Sequence, residues 1–347
     1  MKLVHDFFSQ NGGGENLVES IAEILDCEII TSYNSRKKNN INIRQSFFSR
    51  ILQINKIFVF IYFFLIFKVN TKGPIIFSGN HCCFSIIRCK ARKKYLYAHS
   101  LPKSLFSNLY MDHNSNFLTK FFKNFLVSSY TKNLLSLDHI FFNSNKTKLK
   151  FLYSFPKLEK SNINLEVLYP FSNMPYVRNN NKKITSDKYF VINSRHQSSK
   201  NILHIILLVK NFLNSNKNIK LYITHTGELT NKLEFGNTNK NIIFTGYLNI
   251  DKYMRLISKS MGIIFPSRDE DFGISALDAY NLNIPVIVQK NCGFSEILSS
   301  DYLYFYDDNN LIEKLNNLIK FLPKKIYKRK RDYKDIFQKK ILSLDSE

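Results

Sequence analysis

Short apolar runs alternate with longer segments of mixed polarity along the first half of the chain. Runs of this kind, bounded by polar residues, predict buried strands, and the segments between them predict helices. The predicted strands lie at residues 2–7, 28–31, 74–78, 95–99, 139–142 and 165–169, and the first helix is predicted over 16–25. Strands separated by helices are typical of a parallel sheet covered on both faces.

The same alternation starts again after a polar segment without periodicity. That segment, residues 173–187, is rich in Asn and Lys and predicts a linker. Strands are predicted beyond it at 189–192, 219–224, 241–244, 262–265 and 285–288, and helices at 201–214, 250–258 and 275–281. The pattern predicts two α/β domains, 1–172 and 188–330, followed by a basic C-terminal helix over 331–347. Such sheets bind ligands beyond the carboxyl ends of their strands, so a cleft between the domains is the expected site.

The charge of the chain points to an anionic partner. Its 347 residues include 50 Lys and Arg against 27 Asp and Glu, a formal net charge of +23, and 44% are hydrophobic. That apolar share is typical of a folded protein rather than a disordered one. Nucleic acid, an anionic membrane surface and a phosphorylated ligand all fit the charge. A codon bias towards Lys is the alternative, and it predicts lysines scattered over the surface.

Targeting signals and cysteines narrow the expected environment. The N-terminus lacks the apolar stretch of a signal peptide, and the longest apolar run, 57–67, is too short to cross a bilayer. The five cysteines form no Cys-x-x-Cys pair, so neither a disulfide framework nor a zinc site is expected. A cytoplasmic protein is predicted, with peripheral contact to a membrane left open. The run 57–67 and the basic segment 324–340 each fit either a packed helix or a contact with anionic lipid.

The segment from Phe265 to Ala279 carries the most informative chemistry. A predicted strand ends at Phe265, an acidic loop and Gly273 follow, and a helix is predicted to begin near Ser275. A helix N-terminus at the end of a strand offers free N–H groups to a phosphate. Carboxylates such as Glu270 and Asp278 cannot bind phosphate, but they accept hydrogen bonds from sugar hydroxyls. The pattern therefore predicts a ligand with a diphosphate between two sets of hydroxyls.

This segment resembles the signature of retaining glycosyltransferases of the GT-B fold, family four. The residues that carry the resemblance are Pro266-Ser267, Glu270, Phe272-Gly273 and Asp278, then Ser194-Arg195 with Lys200 upstream, and His5-Asp6-Phe7, Gly13-Gly14-Glu15 and Tyr97-Ala98-His99 in the first half. The first-half motifs are similar to those of the group's polysaccharide and lipopolysaccharide mannosyltransferases. The resemblance implies two Rossmann-like α/β/α domains whose parallel sheets face a central cleft, with the acceptor side in the first domain and the nucleotide sugar in the second.

The resemblance also implies a role for each candidate residue. Arg195 and Lys200 would neutralise the diphosphate as negative charge develops on it. Glu270 would hold hydroxyls of the donor sugar, and Asp278 would bind the ribose. His99 would lie near the reactive face of the sugar. The implied phosphate and backbone contacts come from Phe272, Gly273 and Ile274 in the second domain and from Gly13 and Gly14 in the first.

Several positions depart from the family pattern, and one alternative site is open. Asp278 stands where the family has Glu, and Cys292 replaces the first glycine of a Gly-Gly pair, which is expected to narrow that loop. The triplet Asp269-Glu270-Asp271 could instead hold Mg²⁺ or Mn²⁺. No metal is predicted, because Arg195 and Lys200 already supply positive charge for a diphosphate.

The resulting functional prediction is hexose transfer from a nucleotide sugar to a glycan or lipid-linked acceptor in surface polysaccharide assembly. No cofactor is expected beyond the donor, with GDP-mannose preferred to a UDP-sugar. A catalytically weakened scaffold and a basic nucleic-acid-binding protein are the alternatives. Nucleic acid is not an expected partner, because the aromatic residues fall within apolar strand and helix patterns and no binding module is recognisable.

Overall fold

Two compact units make up the described part of the chain. The structure, a computed structural model, describes residues 1–8, 12–35, 42–48, 51, 56–102, 105, 117–172, 188–282, 284–297, 303–320 and 332–346. One unit comprises Met1–Phe171 with Asp332–Glu347, and the other comprises Ser172–Arg331. The predicted linker, 173–187, lies outside the described residues, and the acceptor and donor roles of the two domains stay a prediction.

The first unit is built on a parallel sheet with the strand order β3-β2-β1-β4-β5-β6-β7. Its strands are β1 (Lys2–His5), β2 (Glu28–Thr31), β3 (Ile43–Gln45), β4 (Ile75–Phe77), β5 (Lys94–Ala98), β6 (His139–Phe142) and β7 (Asn164–Val167). Its helices up to the end of the sheet are α1 (Gly13–Ile24), α2 (Lys56–Ile61), which continues as a π-helical segment (Tyr62–Ile66), a 3-10 helix (Cys82–Arg88), α3 (Phe117–Leu134) and α4 (Asn145–Ser154). Consecutive residues of β4 and β6 are all buried, so both faces of the sheet are covered.

The second unit repeats this architecture with the strand order β10-β9-β8-β11-β12-β13, again parallel throughout. Its strands are β8 (Lys188–Asn193), β9 (Ile219–Thr224), β10 (Ile242–Gly246), β11 (Gly262–Ile264), β12 (Val286–Gln289) and β13 (Leu303–Tyr306). Its helices are α5 (Ile202–Ser215), α6 (Thr230–Phe235), α7 (Ile250–Ser258), α8 (Ile274–Asn281) and α9 (Leu311–Lys320). The predicted pair of parallel α/β sheets is therefore confirmed.

Strand order reverses direction once in each sheet. The reversal lies between β1 and β4 in the first unit and between β8 and β11 in the second. Connections on the two sides of such a point leave in opposite directions and open a crevice at the carboxyl ends of the strands. The loops after β1, β8 and β11, which lead to most of the predicted site residues, begin at these two points, whereas His99 follows β5.

The C-terminal helix α10 (Tyr333–Ser346) packs on the first unit. Phe337 is buried, and its ring centroid lies 5.2 Å from those of Tyr97 and Phe171. The Gln338 side-chain amide donates to the Ile24 carbonyl at 2.6 Å, and the Lys340 ammonium lies 2.8 Å from the Glu166 carboxylate. Residues 333–346 therefore form a helix packed on the first unit, one of the two alternatives for the basic segment. Residues 321–331 lie outside the described residues. Among the described residues, no helix combines the length and the apolar character needed to cross a membrane.

Asp6 fixes the loop that follows β4. Its carboxylate accepts hydrogen bonds from the backbone N–H groups of Asn80, His81 and Cys82, at 2.8, 3.0 and 2.7 Å, and so caps the 3-10 helix. Burial opposes ionisation of this carboxyl, yet the nearby His81 and His5 together with these hydrogen bonds lower its pKa. A Cβ at Gly79 would lie 2.5 Å from the Asp6 carboxylate, so only glycine fits beside the cap.

We expect Gly79→Ala to lower the free energy of unfolding by about 2 kcal/mol, because the added methyl group displaces the buried carboxylate from its three donors. Gly14→Ala is the matched control, since a Cβ at this helical position would have nothing within 4 Å. That control should gain up to about 1 kcal/mol from the higher helix propensity of Ala. Urea denaturation of both variants measures the difference, and equal midpoints would contradict this account of Gly79.

Candidate functional site

The turn between β11 and α8 is held by glycine geometry. Gly273 has φ +97° and forms the N-cap of α8, which begins at Ile274. This left-handed conformation is strained for residues with a Cβ. The first N–H groups of α8 have no acceptor within the helix, so the Gly273–Ile274 backbone presents donors at the end of β11.

Cys292 ties the same turn to the loop after β12. Its thiol lies 3.0 Å from the Phe272 carbonyl oxygen, to which the Phe294 N–H also donates at 2.8 Å. The rings of Phe272 and Phe294 are both buried and meet edge to face, with their centroids 5.9 Å apart. The departure from a glycine at position 292 thus places a thiol against the turn at Gly273, where a Cβ would lie 3.4 Å from the sulfur.

Lys200 and Glu270 form an ion pair across the reversal point of the second sheet. The Lys200 ammonium lies 2.7 Å from the Glu270 carboxylate, and both side chains are partly exposed. Lys200 ends a short 3-10 helix (Ser198–Lys200) that leads into α5, and Glu270 lies in the loop after β11. The next residue, Asn201, has φ +55° and donates from its side chain to the Pro266 carbonyl at 3.3 Å. Two residues separated by 70 positions are therefore brought together as the sequence motifs imply.

Arg195 occupies the loop after β8 with an exposed side chain. Burial lowers the pKa of the neighbouring His225, and the positive charge of Arg195 lowers it further. The next residue, His196, is buried, and its ring nitrogens contact the Thr230 hydroxyl and the Thr224 carbonyl. Arg195 therefore projects from a loop that the buried His196 fixes at the carboxyl edge of the sheet.

Asp278 lies in α8 within a polar group that the sequence did not reveal. The Ser172 hydroxyl donates to the Asp278 carboxylate at 2.5 Å. Burial raises the pKa of Asp278 to about 6, although the Ser172 hydrogen bond opposes this shift. Burial also raises the pKa of Tyr253, and the Asp278 charge adds to that effect. The Tyr253 hydroxyl accepts from the Asn193 side chain at 2.8 Å. No pattern in the sequence marks Ser172 or Tyr253 as neighbours of Asp278.

In the first unit, His99 lies at the end of β5 beside Ser78, which follows β4. The Ser78 hydroxyl and Nε2 of His99 are 2.7 Å apart. The Ser78 carbonyl accepts a hydrogen bond from Nδ1 of His5. The rings of Tyr97 and His99 meet edge to face at 5.0 Å. Desolvation lowers the pKa of His99 to about 3, so this imidazole is neutral at physiological pH.

Gly13 and Gly14 form the first turn of α1 rather than the loop before it. The helix begins at Gly13, earlier than the predicted Asn16, and Gly12 is its N-cap in an extended conformation. Neither glycine has a positive φ. Since a Cβ at Gly14 would meet nothing within 4 Å, crowding inside the protein does not account for that glycine. Its predicted contact with a ligand stays a prediction.

The alternative metal triplet is not assembled as a cluster. Within the ranges that the structure describes, His, Cys, Asp and Glu side chains form no group of three placed to hold a metal ion. Glu270, the central member of the triplet, is engaged by Lys200. The cation that contacts the Glu270 carboxylate is therefore the Lys200 ammonium of the protein itself.

We expect the pH dependence of stability to report Asp278. Between pH 3.8 and about 6 the folded state binds more protons at this group than the unfolded state, so stability falls as the pH rises through that window. Asp278→Asn should therefore raise the free energy of unfolding by about 2 kcal/mol at pH 7.5 and by little below pH 4. Urea denaturation at both pH values measures the effect. Glu228→Gln, at an exposed carboxyl of the same unit, is the control, and an equal pH profile for both variants would contradict the burial of Asp278.

The tautomer of His99 is a second expectation. The Ser78 hydroxyl lies 2.7 Å from Nε2 of His99, and we expect the hydroxyl to donate, which leaves the proton of the neutral ring on Nδ1. Ring ¹⁵N chemical shifts should show an Nδ1–H tautomer that does not titrate above pH 4. Ser78→Ala should mix the two tautomers. A proton on Nε2 in the wild type, or a titration near pH 6.5, would contradict this assignment.

Comparisons with known proteins agree with this geometry. Residues 175–335 match the model of the family described as glycosyl transferases group 1. An uncharacterised glycosyltransferase of Methanocaldococcus jannaschii is 33% identical over 89 residues, which are 24% of this chain and 23% of that protein. The alignment thus spans about a quarter of the curated relative.

Solved structures share the architecture of the whole chain. Alr3699/HepE of Anabaena, solved in complex with UDP and glucose, superposes with a TM-score of 0.71 and 14% identity over 100% of both chains. WaaG, a glycosyltransferase involved in lipopolysaccharide biosynthesis, superposes with a TM-score of 0.65 and 12% identity, again over 100% of both chains. At sequence identities this low, the structural similarity shows a common fold. The chain therefore has the two-domain, Rossmann-like GT-B fold, and its residues 175–335 match the family of glycosyl transferases group 1.

Proposed function

We propose that this protein is a retaining glycosyltransferase that transfers a hexose from a nucleoside diphosphate sugar to a glycan or lipid-linked acceptor. The observation that carries the proposal is the Lys200–Glu270 ion pair, 2.7 Å long, at the reversal point of the second sheet. A cation for a diphosphate and a carboxylate for sugar hydroxyls are thereby held side by side. The cytoplasmic location predicted from the sequence belongs to the same proposal.

The charges around α8 fit the two ends of such a donor. Arg195 and Lys200 provide positive charge for the diphosphate, and the N–H groups at the start of α8 provide further donors. Asp278, further along the helix, accepts a hydrogen bond from Ser172 and is placed to accept others from ribose hydroxyls. Because Asp is one methylene shorter than Glu, we infer that Ser172 helps to fix the orientation of its carboxylate.

Donor binding would exchange the partners of the ion pair. Without a donor, Lys200 and Glu270 neutralise each other, so neither is left as an isolated charge. An incoming diphosphate offers Lys200 a more highly charged partner, and this would free the Glu270 carboxylate to accept hydrogen bonds from the hexose hydroxyls. Binding and positioning of the sugar would therefore occur together.

The transfer breaks the bond between the anomeric carbon and the phosphate oxygen and forms a bond from that carbon to an acceptor hydroxyl oxygen. The nucleoside diphosphate departs with the electron pair of the broken bond, and its leaving oxygen takes up the proton of the acceptor hydroxyl. Negative charge grows on the departing diphosphate, so Arg195, Lys200 and the start of α8 would stabilise the transition state more than the ground state. His99, neutral and hydrogen bonded to Ser78, would contribute a donor near the sugar without a competing positive charge.

The proposal also covers the nucleobase and the sugar of the donor. The first-half motifs resemble mannosyltransferases, which favours GDP-mannose, whereas Alr3699/HepE was solved with UDP and glucose. A thermal-shift panel of UDP, GDP and their sugars separates the two. GDP and GDP-mannose should raise the melting temperature more than the uridine compounds, and the reverse order would move the assignment to a UDP-sugar.

We expect Lys200→Ala to weaken binding of the preferred nucleotide diphosphate at least tenfold, because one charge-assisted contact to the diphosphate is lost. Lys210→Ala, which removes an exposed lysine from α5 of the same unit, is the matched control and should bind as the wild type does. Isothermal titration calorimetry with the nucleotide measures both. Equal affinities for the two variants would contradict the role proposed for Lys200.

Glu270→Gln separates an enzyme from a catalytically weakened scaffold. The variant should keep nucleotide binding, because Lys200 is no longer neutralised by Glu270, and should lose at least a hundredfold in donor hydrolysis or transfer. Absence of turnover in the wild type with every nucleotide sugar of the panel, together with nucleotide binding, would support the scaffold instead.

A further inference from the structure

The positive charge of this protein is concentrated in one part of the sequence. Residues 29–137 contain 17 Lys and Arg and a single acidic residue, Asp112, whereas the rest of the chain contains 33 basic and 26 acidic residues. A codon bias alone would spread lysine over the whole chain and would leave the acidic residues in place. The first unit therefore carries a local excess of positive charge that the proposed donor site, in the second unit, does not use.

An apolar face lies on four elements of this same segment. The large hydrophobic side chains exposed on α2, the π-helical segment, the 3-10 helix and α3 are Ile57, Phe58, Ile61, Leu65, Ile66, Ile87, Phe121, Phe122 and Phe125. Leu65 is 63% exposed and Phe58 is 44% exposed. We call this set the aromatic face. Clusters of exposed large apolar residues of this kind mark interaction sites in folded proteins.

Packing beneath the aromatic face holds its elements together. Phe64 joins the π-helical segment to α3 through Phe125, with ring centroids 6.2 Å apart, and to the 3-10 helix through Phe84, at 5.5 Å. Val59 and Phe63, on the opposite side of the same helix, are buried in the core of the unit. Arg88 donates to the carbonyl groups of Phe63 and Phe67 and so closes the C-terminal end of the π-helical segment. The exposed residues are therefore presented by a packed scaffold and not by a frayed end.

Basic residues accompany the aromatic face. Lys68 follows the π-helical segment and is exposed, and Lys123 lies on α3 between Phe122 and Phe125. A helical surface with large apolar residues and flanking lysines is suited to lie in the headgroup region of a bilayer, where acyl chains receive the apolar side chains and anionic headgroups attract the ammonium groups. The apolar run 57–67 is too short to cross the bilayer, so contact is confined to one leaflet.

We propose that the aromatic face is a docking surface for a bilayer containing anionic phospholipid. Charge decides between this occupant and a second copy of the chain. A second copy would bring another segment with 17 basic residues and one acidic residue against the first, and like charges would repel. An anionic lipid surface supplies the opposite charge and the apolar layer together. The inference goes beyond the proposed transfer reaction and does not depend on it.

Vesicle co-sedimentation tests the proposal with the full-length protein. The wild type should bind vesicles of phosphatidylcholine with 30% phosphatidylglycerol more tightly than vesicles of phosphatidylcholine alone. Phe58→Ser and Leu65→Ser should each lower the partition coefficient on the mixed vesicles roughly tenfold, because a large side chain no longer enters the acyl region. Lys68→Glu should lower it at least about fivefold on mixed vesicles and much less on neutral ones.

Phe235→Ser is the matched control. Phe235 is 89% exposed on α6 of the second unit, so it tests whether loss of any exposed aromatic residue weakens sedimentation. This variant should bind as the wild type does. Circular dichroism should be unchanged in all four variants, because each replaced side chain lies partly or mostly on the surface.

The outcomes separate the docking surface from the proposed enzyme activity. Glu270→Gln should bind vesicles like the wild type while turnover is lost, so failure of the transfer reaction leaves the vesicle result standing. Absence of wild-type binding to the mixed vesicles would overturn the docking surface. Equal binding by Phe58→Ser, Leu65→Ser and the wild type would overturn it too. Concentration-dependent dimers in sedimentation velocity that Leu65→Ser abolishes, without lipid binding, would assign the face to a second copy instead.

Discussion

Parallel pairing of every strand is the constraint from which the rest of this structure follows. Parallel neighbours cannot be joined by tight hairpins, so each connection must cross over the sheet, and the crossing segments bury both of its faces. The same geometry places the carboxyl ends of all strands at one edge. Loops that are far apart in sequence, such as those after β8 and β11, therefore meet where the strand order reverses. Lys200 and Glu270 are neighbours for this reason, whereas Ser78 and His99 in the first unit follow the adjacent parallel strands β4 and β5.

Charge is arranged differently at the two ends of the candidate donor site. Lys200 and Glu270 neutralise each other at a partly exposed position, so their presence costs the fold little. The pKa of Asp278, by contrast, is raised because burial penalises its carboxylate. When burial disfavours the ionised form of a carboxyl group, a ligand that donates hydrogen bonds to the carboxylate stabilises that form. Asp278 therefore lowers the free energy of unfolding at neutral pH, in a position suited to accept hydrogen bonds from hydroxyl groups.

Local patterns in the sequence predicted most elements, and the errors have physical causes. The strand β3 was not predicted because this short edge strand has exposed residues and lacks an apolar run. Helix α1 begins at Gly13 although glycine has low helix propensity, since the buried face of the helix, with Leu17, Val18 and Ile21, outweighs that preference. The loop at Cys292 was expected to be narrowed by the larger side chain. That narrowing stays a prediction. The thiol packs against the turn and contacts the Phe272 carbonyl, a contact that depends on where two loops meet.

The sequence by itself determined the class of fold, the turn at Gly273 and the order of the motifs, because these depend on apolar periodicity and on backbone preferences that neighbouring residues share. Only the tertiary structure decided which polar groups face each other. It placed Ser172 on Asp278 and Ser78 on His99, and it left Phe58 and Leu65 exposed on a helix that sequence alone would equally allow to be buried. These outcomes depend on side chains separated by many positions and on which face of a helix meets the core. Periodicity along the chain carries no information about such distances.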